Sequence, residues 1–293
     1  MRTLLGLVLA LCLAALSGCA TTPYSKEVHA KSVAALEKQV ASAQKQIDDK
    51  KKPVSLLYAG FALSKESQAF QGDVTTLQGL VTRIDKTNAR LTFVNRQEIE
   101  KATLPFATED DFELGIAALA KLAARAETKN SAKPLLVVLL TSHGGPQQIT
   151  FNANGFNRNM HASKLAKQLA PLTPYPTLLI VSACHSGSLI PYLETDKRII
   201  MTAAAADRVS FGCATNSPRT WYVDALAKAF DPQKSLRDWH TETISLVEKM
   251  EEQAKTTASQ PQQWIGRDMA TLADRPLAQL SAPDAGGKPQ DGQ

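Results

Sequence analysis

The stretch that most constrains the fold of this chain is an apolar run that ends in a cysteine. Residues 177–187 read Thr-Leu-Leu-Ile-Val-Ser-Ala-Cys-His-Ser-Gly. A short, continuous apolar run bounded by turn residues is typical of a strand that is buried on both faces, as in a parallel sheet. We therefore expect Cys184 to follow the carboxyl end of a central strand, where open α/β sheets place their chemistry.

A second stretch has the same form and carries a histidine. Residues 134–145 read Pro-Leu-Leu-Val-Val-Leu-Leu-Thr-Ser-His-Gly-Gly. The two patterns predict that the thiol of Cys184 and the imidazole of His143 lie side by side on one sheet edge. That arrangement is typical of a cysteine nucleophile and its base. The backbone N–H groups of Gly144 and Cys184 are then candidates for an oxyanion hole.

The rest of the chain alternates between strand patterns and helix patterns. We predict further strands at 54–60, 90–95 and 198–204, a short strand or hairpin at 147–152, and helices at 67–85, 108–127, 162–169, 218–230 and 235–253. Strands that alternate with helices indicate one α/β domain with a mostly parallel sheet.

The N-terminus has the features of an export signal. Arg2 precedes an apolar segment, residues 4–16, that is too short to span a membrane. Leu-Ser-Gly-Cys at 16–19 then resembles a bacterial lipobox, with cleavage before Cys19 and a lipid on that cysteine. An ordinary secretory signal is the alternative. Ala20 follows in place of an aspartate, which favours the outer membrane, and we expect the protein to face the periplasm.

These features divide the chain into four parts. Residues 1–18 are the predicted signal peptide, and residues 19–52 are the lipidated N-terminus with an amphipathic helix that spaces the domain from its anchor. Residues 53–280 are the predicted enzyme domain. Residues 281–293 contain Ala, Pro, Asp, Gly, Lys, Gln and one Ser, a composition typical of a disordered tail.

Charge and cysteine content exclude several classes of function. The net charge is only +5 and the basic residues are scattered, so we predict no nucleic-acid partner. Cys184 and Cys213 are the two cysteines left as thiols, and a disulfide between them is the alternative in an oxidising compartment. No Cys-x-x-Cys or His-x-x-x-His pair supports a metal site, and we predict no metal and no cofactor.

Structural explanations exist for the histidines and for Cys184. Cys184 taken alone could be a buried small side chain, and His143 a hydrogen-bonded turn residue. His185 is a poor partner for Cys184, because successive side chains at a strand end point in different directions. The remaining histidines, His29, His161 and His240, are predicted surface or helix-cap residues.

Three short motifs resemble those of clan CD cysteine peptidases, which include caspases and legumain. They are Thr-Ser-His-Gly at 141–144, Ser-Ala-Cys-His-Ser-Gly at 182–187 and Ala-Asp-Arg-Val-Ser-Phe-Gly-Cys at 206–213. Together with matching segments at 104–108 and 220–224, they resemble the bacterial branch of the legumain family. The resemblance extends over residues 54–230.

The resemblance implies a caspase-like three-layer α/β sandwich in which His143 and Cys184 are catalytic. It also implies cleavage after asparagine or aspartate, although Ser182 stands where eukaryotic legumains have an acidic residue. The substrate-binding positions that it implies are Ser142, Ser182, Ser210 and Asp224.

The sequence therefore predicts a lipid-anchored cysteine endopeptidase that acts on peptides or proteins through an acyl-enzyme. Two alternatives stay open. One is a transamidase with the same fold, which would pass the acyl group to an amine. The other is a non-catalytic binding lipoprotein at the outer membrane.

Overall fold

The computed structural model describes residues 24–49, 53–86 and 89–280. The predicted signal peptide, the proposed lipidation site Cys19 and the predicted tail at 281–293 lie outside the described residues. Among the helices that are described, none is long and apolar enough to cross a membrane.

The core of the protein is a six-stranded sheet with a three-stranded sheet beside it. The larger sheet has the order β2-β1-β3-β7-β8-β9, and the smaller sheet has the order β4-β5-β6. The strands are β1 (Leu56–Ala62), β2 (Arg90–Val94), β3 (Leu135–Thr141), β4 (Gly144–Gly145), β5 (Gln148–Ala153), β6 (Phe156–His161), β7 (Thr177–Ser182), β8 (Arg198–Thr202) and β9 (Gln262–Ile265). In the larger sheet all pairings are parallel except that of β8 with β9.

The central strands are buried along their whole length. Every residue of β1, β3 and β7 is buried, as the continuous apolar runs at 135–141 and 177–182 predict. Side chains of β1 alternate between two hydrophobic clusters: Leu57, Ala59 and Phe61 belong to one, and Leu56, Tyr58 and Ala62 belong to the other. The sheet therefore separates two apolar layers.

Helices complete the two outer layers. The α-helices are α1 (Lys26–Ile47), α2 (Gln68–Ile84), α3 (Glu109–Asn130), α4 (Ala162–Leu169), α5 (Ile190–Leu193), α6 (Trp221–Ala229), α7 (Leu236–Ala254) and α8 (Ala270–Ala273). Side chains of α1, α3 and α4 belong to the first cluster, and those of α2, α6 and α7 to the second. This confirms the α/β fold with a mostly parallel sheet and flanking helices.

Helix starts follow from the sequence, because hydroxyl side chains cap them. The hydroxyls of Ser67, Thr108, Thr220 and Ser235 accept hydrogen bonds from backbone N–H groups in the first turns of α2, α3, α6 and α7. Such caps satisfy N–H groups that have no partner within the helix. Thr220, and not Pro218, is thus the residue before α6.

The helix that was expected to space the domain from its anchor packs on the domain. Leu36, Ala43 and Ile47 of α1 are buried in the first cluster. The Gln39 side chain pairs with the backbone of Thr92, donating to its carbonyl (3.0 Å) and accepting from its N–H (2.7 Å). These bonds cover the edge strand β2, whose backbone groups would otherwise be open to pairing.

The start of α1 lies beside the hairpin between β5 and β6. The Tyr24 N–H donates to the carbonyl of Asn154 over 2.7 Å. The Lys65 ammonium reaches the side-chain oxygen of the same Asn154 over 2.8 Å. Lys65 follows the carboxyl end of β1, and Asn154 contacts both Lys65 and Tyr24. The N-terminal end of α1 therefore lies at the edge of the sheet where the parallel strands end.

Two further strands and the burial of one histidine also differ from the sequence-based expectations. The strands β6 and β9 were not predicted, and β9 adds an antiparallel strand to the sheet. His240 is predicted at the surface, but on α7 it is only 2% exposed and faces α6. Its Nε2 lies 3.1 Å from the Tyr222 hydroxyl.

Candidate active site

His143 and Cys184 follow adjacent parallel strands at matching positions. In the register of β3 and β7, Thr141 pairs with Ser182, and His143 and Cys184 each come two residues later. The Ser142 N–H donates to the Ser182 carbonyl over 3.1 Å, so the two chains stay in contact beyond the strands. The sheet therefore brings the histidine and the cysteine to the same edge.

Gly144 lies directly against the backbone of Cys184. A Cβ atom added to Gly144 would lie 2.4 Å from the Cys184 carbonyl oxygen, a distance that no real side chain adopts. Gly144 and Ile149 are opposite each other in β4 and β5, and the Thr150 N–H bonds to the His143 carbonyl over 3.0 Å. This pattern makes Gly144 and Ile149 a non-hydrogen-bonded pair, so the Gly144 N–H does not donate a hydrogen bond to β5.

The His143 ring is held by a carboxylate that the sequence analysis missed. Glu66 Oε2 lies 3.0 Å from His143 Nε2, and Glu66 Oε1 accepts a hydrogen bond from the Asn152 side chain over 2.8 Å. The ring of Phe70 meets the imidazole at right angles, with 5.1 Å between centroids. With Nε2 facing Glu66, Nδ1 is the nitrogen left for a thiol.

The sulfur of Cys184 is partly exposed and is surrounded by groups of Ser210. The Ser210 N–H lies 3.3 Å from Sγ, the Ser210 hydroxyl lies 3.8 Å from it, and Sγ lies 3.5 Å from the Ser210 carbonyl. A backbone N–H beside the sulfur is complementary to the negative charge of a thiolate. Ser210, a predicted substrate-binding residue, therefore lies next to Cys184.

His185 is held by the loop that follows β8. Its backbone has a φ of 56°, its N–H donates to the Arg208 carbonyl (2.7 Å), and its Nδ1 lies 3.1 Å from the Ala206 carbonyl. These contacts give the His185 ring a structural partner in the protein.

Both described cysteines are free thiols. Burial raises the pKa of the Cys213 thiol, and the neighbouring Cys184 adds to the effect. Cys213 packs against the second hydrophobic cluster, which is a structural role. The alternative, a disulfide between Cys184 and Cys213, is not formed.

Two of the expected substrate-binding serines are buried and hydrogen-bonded within the protein. Ser142 is 3% exposed and donates to the Thr150 carbonyl over 2.6 Å. Ser182 is 1% exposed, and its hydroxyl lies 2.9 Å from that of Thr220. In this structure neither side chain faces solvent, so substrate binding by them stays a prediction.

The fourth expected position, Asp224, is held by two basic side chains. It forms ion pairs with Arg219 (2.5 Å) and Lys228 (2.7 Å) in and before α6. Burial alone would raise the pKa of Asp224, but hydrogen bonds from Lys228 and Arg219 outweigh it and hold that pKa below its usual range. Asp224 is therefore an ionised and already neutralised carboxylate.

A second carboxylate, Asp73, lies beneath the site and was also missed. It is 0% exposed on α2, and burial raises the pKa of its carboxyl to about 7 against the hydrogen bonds that it accepts. Oδ2 accepts from the hydroxyls of Thr141 (2.6 Å) and Thr220 (3.0 Å), and Oδ1 accepts from the Thr220 N–H (2.9 Å). The sequence does carry one sign of this buried carboxylate: Asp73 lies between Phe70 and Val74 on the apolar face of α2.

Within the part of the chain that the structure describes, no three His, Cys, Asp or Glu side chains are grouped to hold a metal ion.

Comparison with known proteins gives one family and one fold. The sequence model of the Peptidase C13 family matches residues 121–276, which is more than half of the 293 residues. No curated protein matches the chain.

Two of the solved structures that are similar to this chain are caspases. The crystal structure of caspase-1 from Spodoptera frugiperda is 12% identical, with a TM-score of 0.51, over 73% of this chain and 87% of that chain. A structure of pro-sf-caspase-1 is 13% identical, with a TM-score of 0.47, over 74% and 87%. At such identity the first likeness shows the fold alone, which is caspase-like.

Proposed function

This chain belongs to the Peptidase C13 family of cysteine peptidases, and from that premise we propose that it is an endopeptidase whose catalytic dyad is His143 and Cys184. The observation that carries the proposal is the position of these residues. Each follows its strand by two residues at the same sheet edge, and the backbones of Gly144 and Cys184 are in contact. Clefts at the carboxyl ends of parallel strands are where such sheets bind their ligands.

The chemistry is a two-step acyl transfer. His143 Nδ1 takes the thiol proton, and the thiolate of Cys184 attacks the carbonyl carbon of the peptide bond. The negative charge on the carbonyl oxygen is stabilised by the N–H groups of Gly144 and Cys184. His143 then gives its proton to the departing amine, the C–N bond breaks, and a thioester remains on Cys184.

The second step releases the acyl group. His143 takes a proton from a water molecule, whose oxygen attacks the thioester carbonyl. The C–S bond then breaks, the proton on His143 returns to the departing sulfur, and a carboxylic acid product and the Cys184 thiol are left. Glu66 keeps the imidazole oriented in both steps and stabilises the imidazolium that forms transiently within each of them. The Asn152 side chain holds Glu66 in place for this role.

Specificity is proposed to come from the loop around Ser210 and from the start of α6. Ser210 contacts the sulfur of Cys184, so it lies where the residue before the cut must sit. Asp224 would add a carboxylate to that region, although Arg219 and Lys228 already pair with it. Preference for asparagine or aspartate before the cut is part of this proposal, as is a minor role for Ser142 and Ser182.

The substrates are proteins, as membership of a peptidase family implies. We further propose that the mature chain begins at Cys19, that this cysteine carries a lipid, and that the enzyme is held at the outer membrane facing the periplasm. The motif at residues 16–19 is what supports the anchor.

A thiol-reactive peptide probe tests the dyad. We expect the probe to label the wild-type protein at Cys184, and we expect Cys184→Ala and His143→Ala to abolish labelling. Glu66→Gln keeps an acceptor beside Nε2 but removes the charge, so it should slow labelling without abolishing it. Glu98→Gln is the matched control, because Glu98 is a surface carboxylate paired with Lys101. Unchanged labelling of Cys184→Ala would refute the assignment.

A further inference from the structure

A buried hydrogen-bond network connects the two strands that carry the dyad. Thr141 is the last residue of β3 and Ser182 is the last residue of β7, and each lies two residues before a catalytic side chain. Asp73 bonds to Thr141, and Thr220 bonds to both Asp73 and Ser182. The network therefore joins β3, β7, α2 and the start of α6 directly below the active site.

The carboxylate is an expensive group to bury at this place. A buried charge destabilises the fold unless it is paired or fully hydrogen-bonded. Asp73 is fully buried, and its direct contacts are the two hydroxyls and one N–H of Thr141 and Thr220. Arg219 lies near enough to lower the pKa of Asp73, but the guanidinium is bonded to Asp224. An apolar side chain would pack α2 on the sheet without this cost.

The donors to Asp73 have a common property. Each belongs to a residue that sets the backbone of a strand end or helix start at the catalytic edge. Three hydrogen bonds to one rigid carboxylate fix the distance between these backbones more tightly than apolar contact does, because hydrogen bonds are directional. A displacement of about 1 Å at a reacting group is enough to lower a rate about a hundredfold.

We propose that Asp73 is a positioning residue of the peptidase: through Thr141 and Thr220 it holds the ends of β3 and β7 so that His143 lies beside Cys184. This inference rests on the proposed function and deepens it. Asp73 touches neither the substrate nor the sulfur, and it acts through the two threonines.

Three variants and one control test the proposal. Asp73→Asn keeps the shape of the side chain but replaces an acceptor with a donor. Thr220→Val removes the hydroxyl that links Asp73 to Ser182, and Thr220→Ser restores it. The control is Asp111→Asn, because Asp111 is also a buried carboxylate that accepts from a threonine, Thr108, but it lies at the start of α3.

Two measurements separate positioning from stability. The first is kcat and KM on a peptide substrate. Asp73→Asn and Thr220→Val should lower kcat by about tenfold to a hundredfold with KM changed less than about twofold, because substrate binding is retained while the reacting groups are displaced. Thr220→Ser and Asp111→Asn should keep the wild-type kcat.

The second measurement does not depend on cleavage. Alkylation of Cys184 by iodoacetamide is followed against pH by mass spectrometry of the peptide that contains it. In Asp73→Asn the profile should move towards that of His143→Ala, in which the thiol has no imidazole beside it to take its proton. A lower melting temperature with wild-type kcat and a wild-type alkylation profile would show that Asp73 is only structural.

The outcomes also distinguish this proposal from the proposed function. If the wild type cleaves no peptide but its Cys184 is alkylated with an imidazole-dependent profile, that profile alone decides the role of Asp73. If Asp73→Asn does not fold, the Thr220→Val and Thr220→Ser pair decides it, and equal kcat values in the two overturn the proposal. An equal loss of kcat in Asp111→Asn overturns it too.

Discussion

At the scale of single residues, the glycine after the proposed catalytic histidine limits how this site can vary. Gly144 has no side chain, and the carbonyl of Cys184 occupies the space where one would be. The contact is with backbone, which cannot rotate aside as a flexible side chain can. The two strand ends approach this closely only because residue 144 is a glycine.

Gly144→Ala should therefore separate His143 from Cys184. We expect the rate of Cys184 alkylation and kcat to fall about tenfold to a hundredfold, since the added methyl group must push the Cys184 backbone away. The control is Gly79→Ala on α2, where an added Cβ meets nothing within 4 Å. That change should leave kcat unchanged and stabilise the helix by about 0.5–1 kcal/mol. A wild-type rate in Gly144→Ala would contradict the contact that we describe.

At the scale of elements, the packing of α6 against α7 depends on a neutral histidine. Burial lowers the pKa of His240 to about 4, and its Nε2 lies 3.1 Å from the Tyr222 hydroxyl. Unfolded histidine titrates near 6.5. Between pH 6.5 and pH 4 the unfolded chain therefore binds more protons at this residue than the folded chain does.

Stability should consequently be lost as the pH falls through that window. His240 accounts for about 3 kcal/mol of the drop in the free energy of unfolding between pH 7 and pH 4. Urea unfolding at the two pH values measures it, and the drop should be smaller by about that amount in His240→Gln. His161→Gln, a change at the exposed cap of α4, should show the full wild-type drop. Equal drops in wild type and His240→Gln would contradict the prediction.

Elements set by local chemistry could be predicted from the sequence, and elements set by distant contacts could not. The start of α3 follows from Thr108 and the acidic residues after it, all within one turn. The partner of Asp73, Thr220, is 147 residues away, and no local pattern encodes that contact. Glu66 likewise meets His143 only because β1 and β3 are neighbours.

The same distinction explains the missed strand and the misplaced histidine. β9 has four half-buried or exposed residues, two of them glutamines, so it lacks the apolar pattern that marks the central strands. It forms because β8 offers an edge with unpaired backbone groups. His240 is polar in sequence, and only the docking of α7 on α6 buries it.

At the scale of the whole molecule, the proposed active site depends on the layered fold. The sheet brings His143 and Cys184 to one edge, and the helices cover its two faces. The caspase-like arrangement was predictable because the continuous apolar runs, the alternation and the short motifs all agree. The docking of α1 on the domain was not predictable, because its apolar spacing fits a free amphipathic helix as well as a packed one.

The contact between Tyr24 and Asn154 has a consequence for where the enzyme can work. Four residues lie between Cys19 and Tyr24, and the five Cα-to-Cα steps that join them reach about 17 Å when fully extended. With the lipid on Cys19 that we propose, the bilayer and the catalytic edge cannot be far apart, because contacts lead from Asn154 through Lys65 and Glu66 to His143. The anchor is then a short tether, and the enzyme reaches only peptide bonds that lie close to the lipid surface.

A longer tether should let the enzyme cut peptide bonds farther from the lipid surface. On lipid vesicles, we expect the anchored enzyme to cut a peptide displayed close to the bilayer faster than the same peptide on a long, extended stalk. A flexible Gly/Ser insert of about 30 residues between Cys19 and Tyr24, with a reach of about 30 Å, should raise cleavage of the stalked peptide and leave kcat on a free peptide unchanged. If the insert changes the cleavage rate of neither vesicle-bound peptide, height above the membrane plays no part in substrate selection. The enzyme then meets its substrates by diffusion alone.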